Sequence, residues 1–199
     1  MKNEQLLDYE NEIKRKKFHL LSFSIPLYYI IFPNSIILFI LLLSASILVI
    51  DIYRLYFNKK ISLPIIKHIN STIRPYEKNK PMSATLLVLI SLLIILLFKK
   101  EIAIISISIA AICDTAAAVY GIKYGKTKLL FNKTLEGSFS FLSTGILLVF
   151  LLNYFMNLNL IISLIISVFT ATLAESITPT KYDNITVPLI AAITMYFII

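Results

Sequence analysis

Charge is scarce in this chain of 199 residues: 15% are Asp, Glu, Lys or Arg, while 58% are hydrophobic. A soluble domain keeps about a quarter of its residues charged. With a mean hydropathy of +0.83 there is too little polar material to coat a globule, and lipid is the expected solvent. Cysteine and glycine are rare too. The single cysteine, Cys113, excludes an internal disulfide and a paired-cysteine metal site. It sits within an apolar run, where packing is its expected role. No G-x-S-x-G and no H-E-x-x-H run occurs, which disfavours a serine hydrolase or a zinc enzyme, and no internal repeat is visible. The first apolar run lacks a small-residue cleavage site and more runs follow it, so no cleaved signal peptide is expected.

What the chain does have is long apolar runs between short charged segments. Seven are marked out, at 18–32, 35–50, 83–98, 102–120, 139–155, 160–174 and 185–199. They are nearly continuous and lack the alternation of barrel strands, so helix is preferred. The expected fold is an all-α integral membrane protein, a bundle of about seven transmembrane helices. Segment 1–17 is read as a cytoplasmic N-terminal segment and 18–199 as one polytopic membrane domain. Most runs fall short of the roughly 20 residues that cross hydrocarbon, so a thin bilayer or extension into the polar flanks is expected.

Basic residues exceed acids by eight, which in a soluble protein suggests nucleic acid. Here the excess is topological, and no nucleic-acid partner is expected. With the N-terminus in the cytoplasm and the C-terminus outside, seventeen bases fall on the inner side and only Lys99 and Lys100 on the outer. Acids divide the same way: Glu12, Asp51, Glu77, Asp114, Glu136, Glu175 and Asp183 lie at the cytoplasmic face, and Glu101 outside. Bases alone would only orient the protein. Carboxylates gathered beside them make a membrane-level surface suited to a metal-bound polyphosphate.

Glu12, Arg15, Lys16 and His19 share a helical stripe leading into the first run, and Arg15, Lys16 and His19 are candidates for phosphate contact. Asp51 and Arg54, three apart, read either as a local ion pair or as part of a site that continues to Arg74-Pro-Tyr-Glu77. The sharpest signal is Cys113-Asp-Thr-Ala-Ala-Ala-Val-Tyr-Gly121. An acid at the depth of Asp114 costs about 2.5 to 3.5 kcal/mol on insertion scales, which marks it as a functional residue or as a hydrogen-bond partner of a neighbouring helix. Ala116, Ala117, Ala118 and Gly121 form a small-residue surface for a neighbouring helix or a ligand.

Gly121-Ile-Lys-Tyr-Gly-Lys-Thr-Lys128 is one spacer short of a P-loop and follows a helix instead of a strand, so it is not one. Gly121 and Gly125 can still free backbone N–H groups to face an anion, with Lys126 and Lys133 adding charge. The other reading is a flexible basic loop. Gly137 and Ser138 open the fifth run, where a helix start favours phosphate. Glu175 ends the sixth run and Asp183-Asn184 opens the seventh. With Asp114 they offer three carboxylates for Mg²⁺, although Asp183 also fits a helix cap.

These residues resemble, in order along nearly the whole chain from Glu12 to Pro188, the CTP-dependent lipid kinases of the yeast-type diacylglycerol kinase, dolichol kinase and phytol kinase group. The elements are Glu12 with Arg15-Lys16 and His19; Asp51-Ile-Tyr-Arg54; Asp114-Thr-Ala-Ala-Ala with Gly121 and Gly125; Lys133-Thr-Leu-Glu-Gly-Ser138; and Glu175 with Asp183-Asn184-Ile-Thr-Val-Pro188. The runs at Asp114 and Asp51 look most like the diacylglycerol kinases. Glu136 is closer to the dolichol kinases.

The resemblance implies transfer of the γ-phosphate of CTP to a membrane lipid hydroxyl, with diacylglycerol giving phosphatidate and dolichol, polyprenol or phytol as alternatives. It implies CTP as co-substrate, Mg²⁺ or another divalent cation, and Asp114 as base with Glu175 second. Asp114, Glu175 and Asp183 would hold the metal. Arg15, Lys16, His19, Gly121, Gly125, Lys126, Lys133, Gly137, Ser138 and Asn184 would face the nucleotide, with Glu12, Asp51, Arg54 and Glu136 supporting them. Phosphatidate cytidylyltransferase and a non-enzymatic lipid carrier are the other classes. The expected location is the plasma (inner) membrane in a prokaryote or the endoplasmic reticulum in a eukaryote, with the site facing the cytoplasm.

Overall fold

The computed structural model describes residues 12–17, 19–57 and 82–199. Residues 1–11, and the stretch 58–81 that carries Arg74 and Glu77, lie outside the described residues. Among the described residues the fold is all-helical. Its seven principal helices follow the seven apolar runs: α1 Ser24–Ile31, α2 Ile36–Ile52, α3 Ser83–Leu97, α4 Lys100–Tyr124, α5 Leu135–Met156, α6 Ile161–Ile177 and α7 Asp183–Ile198. Residues 12–17 form a helical segment ahead of α1, and a π-helical stretch, Tyr53–Phe57, prolongs α2.

α4 is the central helix. From Ile102 to Ala111 its side chains are apolar or small all round, so no face there prefers water, and every one of these residues is buried. In its most apolar stretch 78% of the residues are buried, against 22% for the helical stretch Pro33–Tyr56 and 28% for α5, so the others wrap around it. α5 comes closest at glycines. A Cβ on Gly145 would lie 2.5 Å from Val168 Cγ1 and 3.4 Å from Cys113 Sγ, so α5 passes between α4 and α6 where only hydrogen fits. Cys113 is fully buried there, in the packing role expected of it.

The outward faces are apolar as well: Leu38, Leu42 and Val49 on α2, Phe155 on α5 and Phe197 on α7 are all exposed. By length and composition, three helical stretches among the described residues are long and apolar enough to cross a membrane: Pro33–Tyr56, α4 and α5. α3, α6 and α7 are shorter apolar helices.

The helix ends depart from expectation, and the shifts matter for the site. α4 runs on to Tyr124 instead of ending at 120, so Gly121 is helical and not part of a loop. α5 begins at Leu135, not 139, which puts Glu136, Gly137 and Ser138 in its first turn. Thr134 sets that start: its Oγ1 accepts the Gly137 N–H at 3.1 Å, as an N-cap does.

Candidate functional site

Side chains far apart in the chain meet at one end of the bundle. Lys16, in the segment before α1, donates from Nζ to Asp114 Oδ2 at 2.5 Å and to the Asp114 carbonyl at 3.1 Å. Both residues are buried. His19 lies alongside, its Nε2 3.5 Å from Asp114 Oδ2 and 2.9 Å from Asn184 Oδ1. With Asn184 Oδ1 accepting, Nε2 carries the proton. The other ring nitrogen, Nδ1, is buried without a hydrogen-bond partner among the described residues.

The second half of the cluster centres on Lys133. Its Nζ donates to Glu175 Oε1 at 2.6 Å, to the Glu175 carbonyl at 2.9 Å and to Asp183 Oδ2 at 2.8 Å. Ser138 Oγ donates to Glu175 Oε2 at 3.2 Å. Glu175 sits in the last turn of α6, where helix carbonyls already concentrate negative charge. Lys133 answers both the carboxylate and the carbonyl. Burial works against the Lys133 charge, but Asp183 and then Glu175 outweigh it and hold the ammonium above its ordinary value. Asp183, by contrast, opens α7, a helix end that favours an acid. Because Asp183 and Asn184 are neighbours on that turn, they join the Lys133 group to the Lys16 group.

Two ammonium groups thus face three buried carboxylates. Desolvating such ions costs several kcal/mol each, so a buried network of this kind is a poor stability device. Its location suits it to chemistry instead.

The expected three-carboxylate metal set is corrected by this geometry. Among the described residues no group of three or more His, Cys, Asp or Glu side chains is arranged to hold a metal. The reason is local: Lys133 Nζ is bonded to both Glu175 and Asp183, and Lys16 Nζ is bonded to Asp114. Asp183 Oδ1 is buried with no hydrogen-bond partner among the described residues.

Other expected site residues are placed as follows. Glu12 and Arg15 pair with each other beside Lys16. Asp51 binds Arg54 at 2.7 Å and also accepts from the Met82 N–H at 2.9 Å and Thr85 Oγ1 at 2.6 Å, so it fastens the end of α2 to the start of α3. Lys126 is exposed. Glu136 accepts the Thr127 N–H at 3.1 and 3.2 Å, closing the turn between α4 and α5.

The glycines were expected to present free N–H groups to an anion, and this too is corrected. Gly125 donates to the Gly121 carbonyl at 2.9 Å, and the Gly137 N–H is held by Thr134. What the glycines supply is close approach: a Cβ on Gly137 would lie 2.9 Å from the Ala117 carbonyl oxygen and 3.3 Å from Gly121 Cα. The small-residue face of α4 therefore packs on another helix.

Sequence reasoning missed Thr134, whose position ahead of an apolar run is a start signal. It also missed a groove of about 450 Å³ beside Ser138, lined by Tyr120, Leu135, Phe139, Leu142 and Thr172 together with Ser138 and Glu136. Only packing of three helices makes that groove, so no motif marks it.

No protein-family model matches the chain, and no solved structure matches it. A relative from Rickettsia prowazekii (strain Madrid E), described as uncharacterized protein RP860, is 32% identical over 191 residues, covering 92% of each chain.

Proposed function

The chain belongs to the same family as that rickettsial protein, and we propose that it is a membrane-embedded, CTP-dependent lipid kinase whose preferred acceptor is diacylglycerol. The observation that carries this reading is the meeting of Lys16, His19 and Asp114 with Lys133, Ser138, Glu175, Asp183 and Asn184 in one buried cluster. All eight belong to the elements that resemble the CTP-dependent lipid kinases. Apolar outward faces support a bundle of about seven spans, and the excess of Lys and Arg in the segments on one side supports a cytoplasmic N-terminus and cluster with the C-terminus outside. A bacterial relative favours the inner membrane.

In this reading Lys16 and Lys133 exchange their carboxylates for the triphosphate of CTP, with Arg15 and Lys126 adding charge at the entrance. Phosphoryl transfer asks mainly for positioning and charge neutralisation. Release of Lys16 frees Asp114 to take the proton of the lipid hydroxyl. The hydroxyl oxygen bonds to the γ-phosphorus as the bond from that phosphorus to the bridging oxygen breaks, and CDP departs. Mg²⁺ supplies charge neutralisation on the nucleotide when bound, and Asp183 is the residue that would hold it. Glu175, oriented by Ser138, is the second candidate base.

The deciding experiment offers each nucleoside triphosphate with diacylglycerol, polyprenol or phytol to the purified protein and separates the lipid products. Phosphatidate formed from CTP and diacylglycerol is expected. Product from polyprenol or phytol alone would replace the acceptor, and CDP-lipid made from phosphatidate would replace the reaction class. Lipid flux in liposomes without any nucleotide, with no phosphorylated product, would make the protein a carrier.

A further inference from the structure

The groove beside Ser138 is built on one stripe of α5. Leu135, Phe139 and Leu142 follow the four- and three-residue spacing of a single helix face, Tyr120 of α4 forms one wall and Thr172 of α6 the other. Leu135 is 55% exposed and Phe139 67%, so these two cover no core, while Leu142 at the groove floor is half-buried and also packs on the core. The groove is not isolated from the ionic cluster. Ser138 lines it and also donates to Glu175, and Thr172 stands three residues before Glu175 on the same face of α6. Apolar groove and buried carboxylate are two sides of one wall.

We propose that this groove seats one acyl chain of diacylglycerol, which enters sideways from the bilayer with its hydroxyl end directed past Ser138 into the cluster. The proposal rests on the kinase reading above and names the place where its acceptor binds. Two observations choose the occupant. The lining surface is mostly apolar; Ser138 and Thr172 stand on the Glu175 side, and the Glu136 carboxylate is engaged by the Thr127 N–H, which matches an alcohol whose polar end must reach the cluster while its tail stays in hydrocarbon. The groove is also open on its outer side instead of forming a closed tunnel, so a second chain can remain in the bilayer. A two-chain lipid needs that opening.

The test uses the full chain reconstituted in phosphatidylcholine vesicles with diacylglycerol bearing a diazirine in one acyl chain, irradiated and mapped by peptide mass spectrometry. Adducts are expected at Tyr120, Phe139 and Leu142, competed by unlabelled diacylglycerol and reduced several-fold in Leu142→Trp, which fills the groove. Phe139→Ala, a change at an exposed position that leaves the core untouched, should reduce them as well. Adducts spread evenly over outward residues such as Leu38 and Leu42 of α2 would overturn the site. Labelling of the groove by a diazirine polyprenol but not by diacylglycerol would overturn the occupant.

In the kinase assay Leu142→Trp should raise KM for diacylglycerol several-fold and leave KM for CTP unchanged. An unchanged lipid KM would count against the groove. The labelling needs no turnover. A wild-type protein that makes no phosphorylated lipid therefore defeats the kinase reading, while the adduct map still decides the groove.

Discussion

Lys16 Nζ lies 2.5 Å from Asp114 Oδ2, although 98 residues separate the two in the chain. The contact ties the segment before α1 to the middle of α4 and closes the cluster from one side. Both side chains are almost fully enclosed, so neither charge has water to fall back on. Breaking a buried pair by removing one partner costs about 3–5 kcal/mol, whereas replacing both with apolar groups is often neutral.

Asp114→Leu should therefore lower the thermal unfolding temperature in detergent, and Lys16→Met with Asp114→Leu should recover most of the loss. Both should be inactive. Asp114→Asn keeps an oxygen for Lys16 and should fold, yet form no phosphatidate from labelled CTP and diacylglycerol. Full activity in that variant would remove Asp114 from the mechanism.

Lys133 holds Glu175 and Asp183 together, so Lys133→Met leaves two neighbouring carboxylates with no cation between them. A destabilisation of about 3–5 kcal/mol is expected for this buried group. Adding Glu175→Gln should restore part of it by removing one of the opposed charges, without restoring activity. Unfolding temperatures of the single and double variants check this. A single variant as stable as the wild type would show that the two acids need no internal cation.

The seven helices were legible because apolar runs bounded by charges leave little choice of element. The members of the cluster were legible one by one, as charged and polar groups in or beside apolar runs. Their pairing was not. Three carboxylates in a sequence read as metal ligands, and nothing in the spacing says that Lys133 will occupy the gap between Glu175 and Asp183. Gly121 and Gly137 misled for a related reason. A glycine that frees an N–H for an anion and one that lets two helices touch look alike until the partner backbone is in place. The end of α4 beyond residue 120 is likewise a tertiary effect, since packing on the start of α5 outweighs the ~1 kcal/mol that glycine costs a helix.

Gly137→Ala tests that close approach. The added methyl would meet the Ala117 carbonyl oxygen at 2.9 Å, and backbone there cannot step aside as a flexible side-chain end can. Overpacking of this kind typically costs about 1–3 kcal/mol. The unfolding temperature should fall, and activity should fall with it, because Ser138 moves with the same turn of α5. A Gly137→Ala protein with wild-type stability and rate would mean that α4 and α5 are free to separate.

Cysteine labelling tests whether the cluster belongs to one face of a membrane. Cys113 is fully buried, so the wild-type chain should resist a membrane-impermeant maleimide. Lys99, Lys126 and Lys181 are exposed and stand respectively before α4, between α4 and α5, and between α6 and α7. The 25 residues of α4 separate the first two by about 37 Å, enough to cross hydrocarbon. Lys126→Cys and Lys181→Cys should react only from the cytoplasmic side, and Lys99→Cys only from the other. The shared contacts of Lys133 with Glu175 and Asp183 require the first two to agree. Were Lys126→Cys and Lys181→Cys to react from opposite sides, the starts of α5 and α7 would not share a face, and CTP arriving from one compartment could not reach both halves of the cluster.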